Sequence, residues 1–79
     1  MSRSNHDHNG NRLALSPRQR EILEQVAEGR CDKEIAYHLG VAEQTVKNQV
    51  QDIRSRLSAT SRTHAVALAL RDSVIKFPQ

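Results

Sequence analysis

The sequence predicts an all-α fold, a compact four-helix bundle, and three observations carry that expectation. Apolar residues recur at spacings of three and four in four separate windows, the spacing of one face of an α-helix. Nowhere do apolar and polar residues alternate as a half-buried strand demands. Serine, proline and glycine punctuate the windows where helices start and stop.

The first helix is expected over about 17–28. Ser16 can cap it, Pro17 suits the first helical position, and Gln19 completes a capping box. Ile22, Leu23, Val26 and Ala27 form its apolar stripe, and Gly29 ends it in the left-handed position after the cap. The second helix, about 32–39, opens at Cys31 or Asp32, buries Ile35, Ala36 and Leu39, and stops at Gly40. At barely two turns it cannot stand alone and must pack on a neighbour. Val41 and Ala42 alone separate it from a third helix, about 43–57, whose Val46, Val50, Ile53 and Leu57 mark one buried face. Ser61 caps a fourth helix, about 62–72, along which Ala65, Val66, Leu68, Ala69 and Leu70 run. Val74, Ile75 and Phe77 trail behind, and Pro78 closes the chain.

Composition bounds what such a bundle can do. With 79 residues there is room for one domain with a thin core. Residues 1–12 are polar and poor in apolar side chains, so they read as a flexible arm ahead of a domain over 13–79. His6 and His8 lie in that arm with no further ligand nearby, which favours a solvated tail over a metal site. The single cysteine, Cys31, excludes an internal disulfide and a multi-thiolate zinc site. No apolar run approaches a membrane span, and the start of the chain lacks the apolar stretch of a signal peptide. A cytoplasmic protein with no membrane contact, metal, cofactor or small-molecule ligand is therefore expected.

The 12 Lys and Arg against 9 Asp and Glu give a net charge of +3, a mild excess that fits nucleic acid without identifying it. Tyr37 and Phe77 are the only aromatics, too few for a platform that stacks single-stranded bases. His38 and His64 are not expected to converge, and no nucleophile elbow or phosphate loop is present, so no enzyme is expected. Cys31, near a helix N-terminus, carries a lesser expectation of redox sensitivity beside that of an inert cap substitute.

A short helix, a tight turn at Gly40 and a longer helix make a helix-turn-helix, in which the second helix enters the major groove. The third helix has the inner face this needs, and an outer face of Glu43, Gln44, Lys47, Asn48, Gln51, Arg54 and Ser55. Lys47 can donate to guanine O6 or N7, and Asn48 and Gln51 can pair with an adenine edge. Gln44 and Thr45 near the helix start, Lys33 on the second helix, and Arg54, Arg56 and Arg62 are the candidate phosphate contacts. Asp52 and Glu43 oppose this pattern and should each turn toward a neighbouring arginine or mark the edge of the footprint. Periodicity alone leaves an ordinary solvated helix face as an equal alternative.

Residues 15–75 resemble the LuxR/GerE-type helix-turn-helix domain of bacterial transcription factors. The resemblance rests on Leu15-Ser16-Pro17-Arg18, Ile22-Leu23, Ala27-Glu28-Gly29, Lys33-Glu34-Ile35-Ala36, Leu39-Gly40-Val41, Thr45-Val46-Lys47, Leu57, Ser61-Arg62-Thr63 and Ala65-Val66. It implies that the third helix is the recognition helix, with Lys47, Asn48 and Gln51 toward bases and Thr45 and the Arg56–Arg62 region near phosphates. It also implies a homodimer on double-stranded DNA through the fourth helix, with Thr63, Ala65, Val66, Ala69 and Leu70 at the interface. RNA polymerase or another regulator is a further expected partner. The chain departs from the family pattern at Ala42 and Cys31, where a hydroxyl cap is usual, and at Gln19, Gln49 and Asp52. Asp32 is expected to take over the missing cap at Cys31. Most relatives place a sensor or phosphoacceptor domain ahead of this one; the start at Met1 favours a stand-alone regulator over a fragment whose sensing part has been left out. The alternative is a small helix-turn-helix that grips another regulator, as a co-regulator or anti-activator.

Overall fold

A computed structural model describes residues 15–76; the expected arm, His6, His8, Phe77 and Pro78 lie outside the described residues. Four helices follow in order: α1 (Pro17–Ala27), α2 (Asp32–Leu39), α3 (Glu43–Leu57) and α4 (Arg62–Arg71). No strand occurs among the described residues. The first and last helices are each one residue shorter than expected, because Glu28 and Asp72 act as C-caps.

The helix starts follow side-chain chemistry. Ser16 Oγ accepts from the Gln19 N–H at 3.0 Å while Gln19 Oε1 accepts from the Ser16 N–H at 3.2 Å, so two orphan donors of α1 are satisfied reciprocally. Ser61 Oγ caps α4 by accepting from the His64 N–H. Cys31 is the N-cap of α2, and the Glu34 carboxylate accepts its backbone N–H at 2.9 Å. Asp32 therefore does not act as the cap. It is the first helical residue, and its carboxylate turns to other helices. Ala42 caps α3 without a side-chain bond, and Glu43 in the first turn supplies the charge that the helix dipole favours.

All four helices stop in the same way. A residue in the left-handed region lets a following N–H reach back five residues: Arg30 to Gln25, Val41 to Ala36, Ala59 to Arg54 and Val74 to Ala69, at 2.8–3.1 Å. Gly29 and Gly40 take the left-handed position after α1 and α2, at φ +90° and +69°. Ser58 and Ser73 take it after α3 and α4.

Leu15, Ile22, Leu23, Ile35, Ala36, Val46, Val50, Ile53, Ala65, Ala69 and Ile75 form one core. The α3 helix packs on all three others, so its orientation is held from three sides. Two expectations change here. Ala65 and Ala69, expected at a dimer interface, are 0% and 1% exposed and belong to the chain's own core. Methyl-sized side chains at those positions let α4 approach α1 and α3 closely. Gln19, expected only as a capping residue, is 5% exposed and reaches across to α3.

Candidate nucleic-acid interface

The inner face of α3, with Val46, Val50 and Ile53, is buried. The 3.6-residue turn divides the rest of the helix into three strips. Gln44, Asn48, Gln51 and Ser55 are exposed on the strip farthest from the core. Gln44 Nε2 donates to Asn48 Oδ1 at 3.0 Å, one turn along.

One flank faces α1. There Gln19 Nε2 donates to Gln49 Oε1 at 3.0 Å and to Asp52 Oδ2 at 2.7 Å. Arg56 Nε donates to the same Asp52 oxygen at 2.6 Å. The Arg56 hydrogen bond, then that of Gln19, holds the Asp52 carboxyl below its ordinary range. Asp52 thus turns toward an arginine as the sequence suggests. Gln49 and Asp52 have structural partners, and Arg56 lies with them.

The other flank faces α2 and α4 across an open groove of about 390 Å3, lined by Asp32, Lys47, Val50, Gln51, Arg54, Thr60, Ser61 and Arg62. Asp32 lines it with its side chain 13% exposed. Arg62 Nη2 donates to Asp32 Oδ1 at 2.7 Å, and Lys47 Nζ lies 3.5 Å from Asp32 Oδ2. Lys47 Nζ also donates to Glu43 Oε2 at 3.1 Å. Glu43 thus pairs with a lysine rather than the expected arginine. The Arg62 hydrogen bond holds the Asp32 carboxyl below its ordinary range against a desolvation penalty, and Glu43, then Asp32, raises the Lys47 ammonium. Arg54 Nη2 donates to the Thr60 carbonyl at 3.0 Å, tying the end of α3 to the start of α4.

Of the sequence-derived candidates, Lys47, Gln51, Arg54 and Arg62 meet at this groove. Asn48 and Gln44 are exposed on α3 beside it, Thr45 is exposed on the α1-facing strip with Gln49 and Asp52, and Lys33 is exposed on the first turn of α2. Asp32 was missed as a site residue, because its partner Arg62 lies 30 positions away and no local pattern links them. His38 is exposed beside Tyr37, whose ring meets it edge-on at 6.1 Å. His64 Nδ1 accepts from the Thr60 N–H at 3.0 Å. Among the described residues no three His, Cys, Asp or Glu side chains gather as a metal cluster, and no helix is long and apolar enough to cross a membrane.

A short helix, a left-handed glycine turn and a longer helix with a polar outer face define a helix-turn-helix protein. Over residues 13–69 the chain matches the GerE family, described as bacterial regulatory proteins of the luxR family, and it belongs to that family. The chain is 37% identical over 82% of its length to the transcriptional regulatory protein YdfI of Bacillus subtilis, covering 30% of that protein. It is 36% identical over 77% of its length to the transcriptional activator protein BjaR1 of Bradyrhizobium diazoefficiens, covering 25% of it. It is 38% identical over 82% of its length to the quorum sensing-dependent transcriptional regulator VjbR of Brucella abortus, again covering 25%. The chain thus spans at most 30% of the length of these three relatives. The family is one of DNA-binding transcription regulators and not one of enzymes.

Proposed function

We propose that this chain reads double-stranded DNA sequence-specifically by placing α3 in the major groove, with Lys47, Asn48 and Gln51 at base edges. The observation that carries this is the strip arrangement of α3: a buried side, a structural seam on one flank, and an exposed donor and acceptor face beside a basic groove. Lys33, Gln44, Thr45, Arg54 and Arg62 surround that face and contact phosphates, and Arg56 does so from the opposite edge. The relatives' names, all transcription regulators, support control of transcription as the outcome.

The protein acts as a dimer on a two-fold symmetric site. With Ala65 and Ala69 in the core, the pairing surface is the strip Thr63, Val66, Ala67 and Leu70, at helical spacings of three and four along α4. The test is selection of bound sequences from random duplex DNA, followed by binding to the selected and a scrambled duplex at several salt concentrations. A palindromic half-site bound more tightly than the scrambled duplex is expected. Equal affinity for both, with only the salt dependence surviving, overturns sequence-specific reading.

A further inference from the structure

We infer that Asp32 is a specificity-determining positioning residue, whose carboxylate fixes Lys47 and Arg62 on facing walls of the groove and so converts two mobile charges into directed donors. This rests on the reading of α3 as the base-reading helix.

A lysine ammonium has three donors on a flexible stem and, left alone, satisfies any nearby phosphate. Here Glu43 Oε2 takes one Lys47 proton at 3.1 Å, and Asp32 Oδ2 lies 3.5 Å away in position for a second. An ammonium has three donors, so one remains for a guanine edge. Asp32 is suited to this because it does not move with Lys47. It sits on α2, 13% exposed, and is anchored at 2.7 Å by Arg62 on α4. Glu43 shares a helix with Lys47 and is 49% exposed, so it cannot alone fix the ammonium relative to the rest of the domain. The same carboxylate repels phosphate. A duplex that offers Lys47 only backbone oxygens brings that backbone toward Asp32, whereas a matching base edge does not.

The test compares Asp32→Asn with the wild-type full chain on the selected and scrambled duplexes. Affinity for the scrambled duplex is expected to rise about threefold to tenfold, with the salt slope steeper by about one phosphate contact. Affinity for the selected duplex is expected to stay nearly unchanged, so discrimination falls by about the same factor. Glu24→Gln, on the exposed face of α1, makes the same change in net charge and should leave discrimination unaltered. In the Lys47→Ala background, Asp32→Asn should add little further loss, because the effect runs through Lys47. Asp32→Glu keeps the charge but displaces the carboxylate, and is expected to lose affinity for the selected duplex alone. Wild-type discrimination in whichever Asp32 variant folds, or an equal gain on both duplexes as with Glu24→Gln, overturns the inference while leaving base reading by α3 intact. Absence of discrimination in the wild type overturns both.

Discussion

The two flanks of α3 are built from similar polar residues but are satisfied differently. Against α1, Gln19, Gln49, Asp52 and Arg56 satisfy one another at 2.6–3.0 Å. Against α2 and α4, Lys47, Arg54, Arg62 and Asp32 surround an open groove. The difference lies in what stands opposite. A buried glutamine whose amide is used on both ends closes the first flank into a seam. On the second, the carboxylate is outnumbered by cations, which leaves donors for an anionic partner. Polar residues on an amphipathic helix are therefore not a measure of its ligand-binding surface until the elements beside it are placed.

The comparison can be broken at its shared floor. Ile53, fully buried beneath both flanks, should cost about 2–5 kcal/mol when cut to alanine. In a domain with so thin a core, urea unfolding followed by circular dichroism should show a large loss of stability, and DNA binding should fall with it. Lys47→Ala separates the flanks. It should cost roughly 1–3 kcal/mol of discrimination between selected and scrambled duplexes. Stability should stay within about 0.5 kcal/mol, because the side chain is about half exposed. Gln19→Ala should do the reverse. It removes a buried amide that serves the α1 cap and the seam, at a cost of about 1–2 kcal/mol in unfolding free energy. Discrimination should be unchanged; a loss comparable to that of Lys47→Ala would show that the seam also sets the reading geometry.

The smallest effect near neutrality is that of pH. Asp32, held down chiefly by Arg62, Asp52, chiefly by Arg56, and Glu34, chiefly by the Cys31 N–H, all have folded-state pKa values below their ordinary ones of 3.8, 3.8 and 4.5. Their contribution is therefore complete above those values and is lost as pH falls through the lower folded-state ones. Unfolding midpoints should not vary through these groups between about pH 7 and pH 5, and should drop below roughly pH 4. A smaller acid-range drop in Asp32→Asn but not in Glu24→Gln would place that share of the linkage in the groove.

Helix order and type were legible in the residues. Ser16-Pro17, Ser61, Gly29 and Gly40 mark starts and stops that the structure keeps within one residue. The stops at Ser58 and Ser73 were not marked, because serine enters the left-handed region only when tertiary packing compensates its strain. On α4, apolar residues surround the helix and the periodicity is weak, so a sequence could not say which side met the core. Ala65 and Ala69 face inward, and Thr63 and Ala67 remain exposed.

By itself, then, the sequence determined an all-helical domain with a helix-turn-helix, and the residues along α3 that have a polar outer face. Those follow from spacing and capping, which act over four residues or fewer. Only the tertiary structure decided that Asp52 and Gln49 close a seam, that Asp32 stands between Lys47 and Arg62, and that two alanines of α4 belong to the core. The first two depend on contacts between residues some 15 to 33 positions apart, the third on the packing of α4 against α1 and α3, and such contacts exist only once helix packing has fixed which faces meet.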